Sequence, residues 1–191
     1  MNLVRMKKLI LIAAILLGTI TANAQNKVGQ LSLAPTVGVN YSKANRPGEK
    51  FVASFVGGVN AEYGLSEDFG ASVGVYYSML GSKVKNEEGS AKIKLNYIAM
   101  PILVNYYPCK GLAFKAGVQP EYLLSAKDED LDVKKKCRTF VLNIPVGVSY
   151  ELANIVVDLR YVHGTQRFNK HGEPFKFKHC LQASVAYKFK F

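Results

Sequence analysis

The chain has 191 residues, a formal net charge of +11 and 49% hydrophobic residues. Its 11 Tyr, 10 Phe and 16 Gly favour β structure. Beyond the first two dozen residues there is no apolar run near ~18 residues, which excludes a transmembrane helix there. Basic residues are nowhere interleaved with aromatics in a nucleic-acid-binding pattern, so we assign the positive charge to acidic lipid headgroups or polysaccharide.

The first 24 residues have the three parts of a secretion signal. Its basic residues are Arg5, Lys7 and Lys8. The apolar segment 9–20 follows and is too short to span a bilayer as a helix, which takes ~20 residues. Ala22 and Ala24 fit the small-residue rule for cleavage. We therefore expect residues 1–24 to be a removed signal peptide and 25–191 the mature domain, with a charge of +8 (11 − 3).

Two alternatives remain for this end of the chain. The apolar segment could be retained as a membrane anchor. Met6, which Lys7 and Lys8 follow, could be the true start in place of Met1.

Eight segments that alternate apolar and polar residues are predicted as β-strands. They cover 28–41, 51–64, 69–82, 92–107, 111–125, 138–151, 155–165 and 178–191. Tight turns are predicted at 65–68, 108–110 and 152–154, and longer polar loops at 42–50, 83–91, 126–137 and 166–177. Short and long connections alternate, as in an up-and-down membrane barrel with periplasmic turns and external loops.

The fourth segment departs from simple alternation. Lys92 and Lys94 share parity with Ile98. Either these lysines lie above the bilayer, or a bulge near Tyr97 resets the phase of the strand.

Seven ionisable residues fall on the polar faces of the strands: Glu62, Lys115, Glu121, Glu151, Asp158, Arg160 and Lys188. In a soluble lipocalin-like barrel, the alternative fold, they would form a costly core. In a membrane barrel they would pair inside the lumen. An eight-stranded barrel is about filled by its own side chains, so we expect a plug, with a narrow ion path as the alternative.

The last strand ends on aromatic residues. Tyr187, Phe189 and Phe191 share one face, and Lys188 lies on the other. The predicted fold class is therefore all-β, an eight-stranded antiparallel up-and-down transmembrane β-barrel. Resemblance to outer-membrane proteins generally implies that these three aromatics are the signal for barrel assembly.

Three stretches resemble the outer-membrane β-barrel family of PorT-like proteins from Gram-negative bacteria. The first is Tyr97–Leu103, which is similar to the family's Tyr-Leu-Glu-Ile-Pro-Leu-Leu strand. The second is Ala116–Ser125, which is similar to the family's Gly-x-Tyr-x-x-x-Leu-Leu strand. The third is Pro145–Glu151 followed by Asp158–Tyr161, which is similar to the family's Gly-x-Gly-Tyr-Glu and Asp-x-Arg-Tyr region. Ala99 and Asn143 replace the family's usual inward Glu and frequent Asp, so the inward charges here are arranged differently. Members have been linked to protein secretion.

Candidates for catalysis and metal binding are few. A hydrolase would need Ser, His and a carboxylate on adjacent strand ends. His163 has no such Ser, and Asp158 lies on the opposite face. A soft metal at the outer rim would use residues whose spacing matches no known motif: His171, His179, Cys137 and Cys180.

The cysteines have a second interpretation. Cys137 and Cys180 fall at the outer ends of the sixth and eighth strands, where a disulfide could form in an oxidising compartment. The seventh strand lies between them, which puts the reach in doubt. Cys109 lies in a predicted turn and is expected to be free.

We therefore expect a non-enzymatic, monomeric outer-membrane protein without a cofactor, in an envelope structural or surface-interaction role. Its partners would be outer-membrane lipid and lipopolysaccharide, the barrel-assembly machinery, and a glycan or an envelope or host-surface protein at the external loops, with no nucleic acid. The alternatives are a secretion accessory or a narrow transport pore and, behind these, a lipid-modifying enzyme.

Overall fold

A computed structural model describes residues 28–43, 49–86, 89–128, 131–132, 134, 137–165 and 179–191. The predicted signal peptide, with Ala22 and Ala24, lies outside these residues, as does the whole of the predicted loop 166–177. Among the described residues, no helix is long and apolar enough to cross a membrane.

The described residues form eleven strand segments. In chain order they are β1 (Leu31–Lys43), β2 (Glu49–Gly64), β3 (Phe69–Asn86), β4 (Gly89–Ala99), β5 (Ile102–Cys109), β6 (Leu112–Asp128), β7 (Leu131–Asp132), β8 (Phe140–Leu152), β9 (Ile155–Gly164), β10 (His179–Tyr187) and β11 (Phe189–Lys190).

β4 and β5 are one barrel strand with a local break. Both pair with β3 in the same register, as Tyr76 opposite Ala99 and Val73 opposite Ile102 show. The break falls at Pro101, which has no N–H to donate to the ladder. Its carbonyl still accepts from the Gly74 N–H at 3.0 Å, so the strand continues across the break.

β10 and β11 form the last barrel strand in the same way, and this strand closes the barrel onto β1. Val37 lies opposite Val185, and Leu33 lies opposite Phe189. The Phe191 N–H donates to the Leu31 carbonyl at 2.9 Å, which extends the seam to the last residue. The result is a closed, antiparallel, eight-stranded barrel, which confirms the predicted fold class.

The two faces of the barrel are distributed as the alternation predicts. The outer face exposes large apolar side chains, among them Val75 at 55% and Val157 at 54%. Aromatic pairs flank this apolar surface at both ends, with ring centroids 4.7 Å apart for Tyr41–Phe51 and 4.8 Å apart for Tyr187–Phe189. Polar and charged side chains are buried inside, the inverse of a lipocalin-like barrel.

The tight turns lie at the predicted end, at 65–68, 110–111 and 153–154. The predicted long loop 83–91, however, is wrong. β3 and β4 stay paired out to Asn86 opposite Gly89, so only residues 87–88 separate the two strands. The segment is polar, and a paired ladder tolerates polar residues where water surrounds it.

A bulge does occur near Tyr97, but in the neighbouring strand. Asn96 lies opposite Ser125 and Tyr97 opposite Leu123, so β6 carries Leu124 as an extra residue. β4 itself keeps its phase, with Tyr97 inside and Lys94 on the outer face. The side chain of Lys92 lies outside the described residues.

Candidate functional site

The lumen is the candidate site because the polar side chains converge there. From the tight-turn end outward we distinguish three layers. The charged floor holds Glu62, Lys115, Glu151, Asp158, Arg160 and Lys188; the amide layer holds Asn40, Ser78, Gln119, Glu121, Asn143 and Gln182; the apolar cap holds Leu80, Leu95, Leu123, Ala126, Cys137, Val141, Val162 and Cys180. All seven sequence-predicted lumen residues thus point inward and are buried.

One half of the charged floor is organised around Asp158. Its Oδ2 lies 2.9 Å from Lys115 Nζ and 3.3 Å from Arg160 Nη2. Asp158 and Arg160 are two apart on β9 and so share its inner face, whereas Lys115 reaches them from β6. One carboxylate therefore serves two cations.

The other half is organised around Lys188, at the break between β10 and β11. Lys188 Nζ lies 3.0 Å from Glu62 Oε1 and 3.0 Å from Glu151 Oε2. Here one cation serves two carboxylates, the reverse of the arrangement at Asp158. The two halves together hold three acidic and three basic residues and are neutral as a set.

Two residues outside the seven predicted ones complete the floor. Lys190 Nζ lies 2.6 Å from Glu151 Oε1, and the Tyr107 hydroxyl donates to Glu62. Lys190 has the same parity as Lys188, so its inward placement was readable from the alternation. The contact of Tyr107 depends on barrel closure and leaves no signal in the sequence.

Glu121 is the exception among the seven. Its Oε1 accepts from Gln119 Nε2 at 2.7 Å, and its surroundings are the neutral side chains of the amide layer. The structure therefore brings six of the seven predicted residues into ion pairs and leaves Glu121 apart from them.

The apolar cap contains both inward cysteines. Cys137 is 2% exposed and Cys180 6% exposed, in one cluster with the leucines and valines of the cap. Among the described residues there is no disulfide, and Cys109 is exposed at the tight-turn end. Burial in an apolar cluster places the two inward cysteines in a packing role.

The histidines of the rim lie on the outer face. His163 and His179 lie opposite each other on β9 and β10, and the Tyr161 hydroxyl is hydrogen-bonded to His179 Nδ1. Asp158 lies inside, in ion pairs, so no hydrolase set is assembled with it. Within the described ranges no three His, Cys, Asp or Glu side chains could hold a metal; His171 lies outside them.

The three C-terminal aromatics lie on the lipid-facing side, at the seam where the barrel closes. Tyr187, Phe189 and Phe191 are 48%, 46% and 76% exposed. Their exposure beside the seam suits recognition by an assembly factor, and that role stays a prediction.

Comparison with known proteins gives one family and a set of similar folds. A family model described as "Outer membrane protein beta-barrel domain" matches residues 23–166. The crystal structure of Ail, the attachment invasion locus protein of Yersinia pestis, is similar with 12% identity and a TM-score of 0.50, covering 85% of this chain and 100% of that chain. The structure of Ail in a phospholipid bilayer nanodisc is similar with 14% identity and a TM-score of 0.50, covering 84% and 99%.

OprG from Pseudomonas aeruginosa is similar with 16% identity and a TM-score of 0.49, covering 86% of this chain and 97% of that chain. At their identities the two Ail structures show a shared fold alone. No protein of curated function matches the sequence.

Proposed function

Because the chain belongs to the outer membrane protein β-barrel domain family, we propose that it is a non-enzymatic display protein of the outer membrane. The barrel serves as a rigid stem, and its external connections contact acidic glycans, lipopolysaccharide, or an envelope or host-surface protein. It acts as a monomer without a cofactor or nucleic acid, after insertion by the barrel-assembly machinery.

The observation that carries this proposal is the charged floor. Its ion pairs cross-link β2, β6, β8, β9 and the β10–β11 break through side chains buried in the lumen. A lumen bridged in this way supports a rigid stem better than a path for solutes.

The external end of the barrel supplies the second argument. The segments 43–50, 83–91, 126–138 and 166–178 carry 14 Lys or Arg against 8 Asp or Glu. β3 and β4 also extend their ladder to Asn86 and Gly89, beyond the inward position of Leu80 in the cap. A positive, projecting end favours an acidic partner.

A matched pair of lysine variants tests this proposal. Lys135→Ser with Lys136→Ser removes two charges from the segment between β7 and β8, and Lys27→Ser with Lys110→Ser removes two from the segments before β1 and between β5 and β6. Retention of the detergent-solubilised protein on immobilised dextran sulfate, with neutral dextran as reference, reports binding. We expect the first variant to lose about tenfold or more in affinity, at ~1 kcal/mol per lysine near an anionic surface, and the second to match the wild type. Equal loss in both would contradict a role for the external end.

A finer assignment to PorT-like proteins, with a role as a secretion accessory, is the second candidate. Tyr97–Leu103 and Pro145–Glu151 favour it through their similarity to that group's strands. Gentle detergent extraction of native outer membrane followed by affinity purification separates the two. Co-purification of components of one export machine in fixed proportion would favour the secretion role over display.

A further inference from the structure

Glu121 is a buried carboxylate without an ion pair. Glu121 is 3% exposed, and Gln119 Nε2 donates to its Oε1 at 2.7 Å. Among the described side chains, Oε2 has no hydrogen-bond partner of good geometry, and the Asn143 side chain also interacts with the carboxyl group. A buried carboxylate needs a partner for its charge, and a buried carboxyl group without one keeps its proton.

Asn40 presents a second unpartnered acceptor to the same cavity. It is 1% exposed, and its Nδ2 donates to Ser78 Oγ at 2.9 Å and to the Met79 carbonyl at 3.0 Å. Because the carbonyl can only accept, these contacts fix the amide orientation and direct Oδ1 away from them. Among the described atoms, Oδ1 has no partner.

The cavity between these groups has the size of a small ion. Asn40, Glu121 and Gln182 are among the side chains that line it, and its volume is about 30 Å³. A water needs roughly 10–15 Å³, so the cavity has room for one small ion and one water. The apolar cap lies on its outer side, where a low dielectric strengthens attraction between charges.

The balance of groups in this layer decides the kind of ligand. The unpartnered buried atoms of the amide layer, within the described part of the chain, are the acceptors Asn40 Oδ1 and Glu121 Oε2. Around the floor they include donors as well, Asn105 Nδ2 and Arg160 Nε. Floor waters can therefore bridge donors to acceptors, whereas the amide layer lacks positive charge.

We propose that the amide layer binds one monovalent inorganic cation, Na⁺ or K⁺, through Glu121 Oε2 and Asn40 Oδ1. One carboxylate with amide oxygens matches a single positive charge and a hard, oxygen-preferring ion. Ca²⁺ takes six to eight oxygens and is held by several carboxylates, and transition metals prefer imidazole or thiolate, so neither suits this layer. The site lies inside the stem and is independent of the proposed display function.

Thermal unfolding of the refolded mature protein in detergent tests the proposal. The midpoint is measured by circular dichroism at constant chloride concentration with Na⁺, K⁺ or the bulky N-methyl-D-glucamine cation. At ten times the dissociation constant, a cation bound only by the folded state raises the folded-to-unfolded ratio about elevenfold. For a chain of this size the midpoint rises by about 3–5 °C.

Two variants locate the effect. Glu121→Gln keeps the size of the side chain and removes its charge, so we expect its midpoint to be the same in all three salts. Glu67→Gln makes the same change at an exposed position of the 65–68 turn and should keep the full wild-type response. A wild type that does not respond to Na⁺ or K⁺, or a Glu121→Gln variant that responds as the wild type does, would overturn the proposal.

Crystals soaked in RbCl give a measurement that is independent of stability. Anomalous density beside Glu121 Oε2 is expected in the wild type and its absence in Glu121→Gln. Absence of the peak in the wild type at saturating Rb⁺ would equally overturn the site. Neither result depends on what the external end binds.

Discussion

The charged floor and the amide layer bury carboxylates of the same kind in opposite surroundings. In the floor, Asp158 has two cations within 3.3 Å, and Lys188 serves Glu62 and Glu151. In the amide layer, Glu121 has an amide donor and an unpartnered oxygen. The position of a residue in the alternating pattern of its strand decides whether its side chain is buried in the lumen. Whether a buried charge is compensated depends on which side chains the neighbouring strands place at the same level of the barrel.

The largest expected effect on stability is the loss from an acid-to-amide change in the charged floor, compared with the same kind of change in the amide layer. Asp158→Asn leaves Lys115 and Arg160 buried without their carboxylate, which costs about 3–5 kcal/mol of unfolding free energy. Glu121→Gln, compared in a medium without Na⁺ or K⁺, should change the unfolding free energy by less than ~1 kcal/mol or raise it. Equilibrium unfolding followed by circular dichroism measures both, and similar costs would break the contrast between the layers.

The next prediction tests which side chains face the lipid and which face the lumen. Val157 adjoins Asp158 in β9 but points outward and is 54% exposed. Val157→Arg should cost up to ~2–4 kcal/mol, the range for the middle of the bilayer, and reduce the folded band in heat-modifiable gel mobility. Leu65→Arg, at an exposed position in a tight turn, is the control and should fold normally. Equal tolerance of both would show that the outer face is wrongly assigned.

A smaller effect is expected when one of two shared partners is removed. Lys115→Met leaves Asp158 with Arg160, so we expect a loss of about 1–3 kcal/mol, below that of Asp158→Asn. The two changes should be coupled, so that the double variant loses less than the sum of the two single losses. Additive losses in this cycle would mean that the ion pair contributes no coupling energy.

The smallest effect on stability, and a larger one on assembly, is expected at the seam. Removal of Phe191 deletes an outward aromatic that is 76% exposed, so it should change the unfolding free energy little and slow insertion into the outer membrane. Val28→Ala, which changes an exposed apolar residue just before β1, is the control. Lys190→Ala is unsuitable because Lys190 pairs with Glu151. Normal insertion of the truncated chain would contradict the signal role of the C-terminal aromatics.

The sequence predicted the barrel well because lumen and lipid select opposite side chains at every second residue. Strand limits agreed within a few residues, and Asp158, Lys188 and Glu121 were all placed inward. The extended β3–β4 hairpin was missed because its lysines resemble a solvated loop, although a ladder in water tolerates them.

Pairing inside the lumen could not be read from one strand at a time. Lys115 contacts Asp158 only because closure sets the relative heights of β6 and β9. Glu121 lies among amides because Gln119 shares its strand and Asn143 approaches from β8. The extra residue Leu124 in β6 resets the phase just beyond Glu121, and a local pattern does not predict such a bulge.

The central claim is that the charged floor blocks the lumen, so that the barrel acts as a stem for display. Single-channel recording tests this claim most directly. The protein without residues 1–24, folded in detergent, is incorporated into planar bilayers, with a conducting porin as the positive control in the same membranes. The ion pairs of Asp158 and Lys188 predict no steady currents of porin size at physiological ionic strength. Steady, reproducible single-channel steps of that size from the wild type would contradict the closed lumen and favour transport.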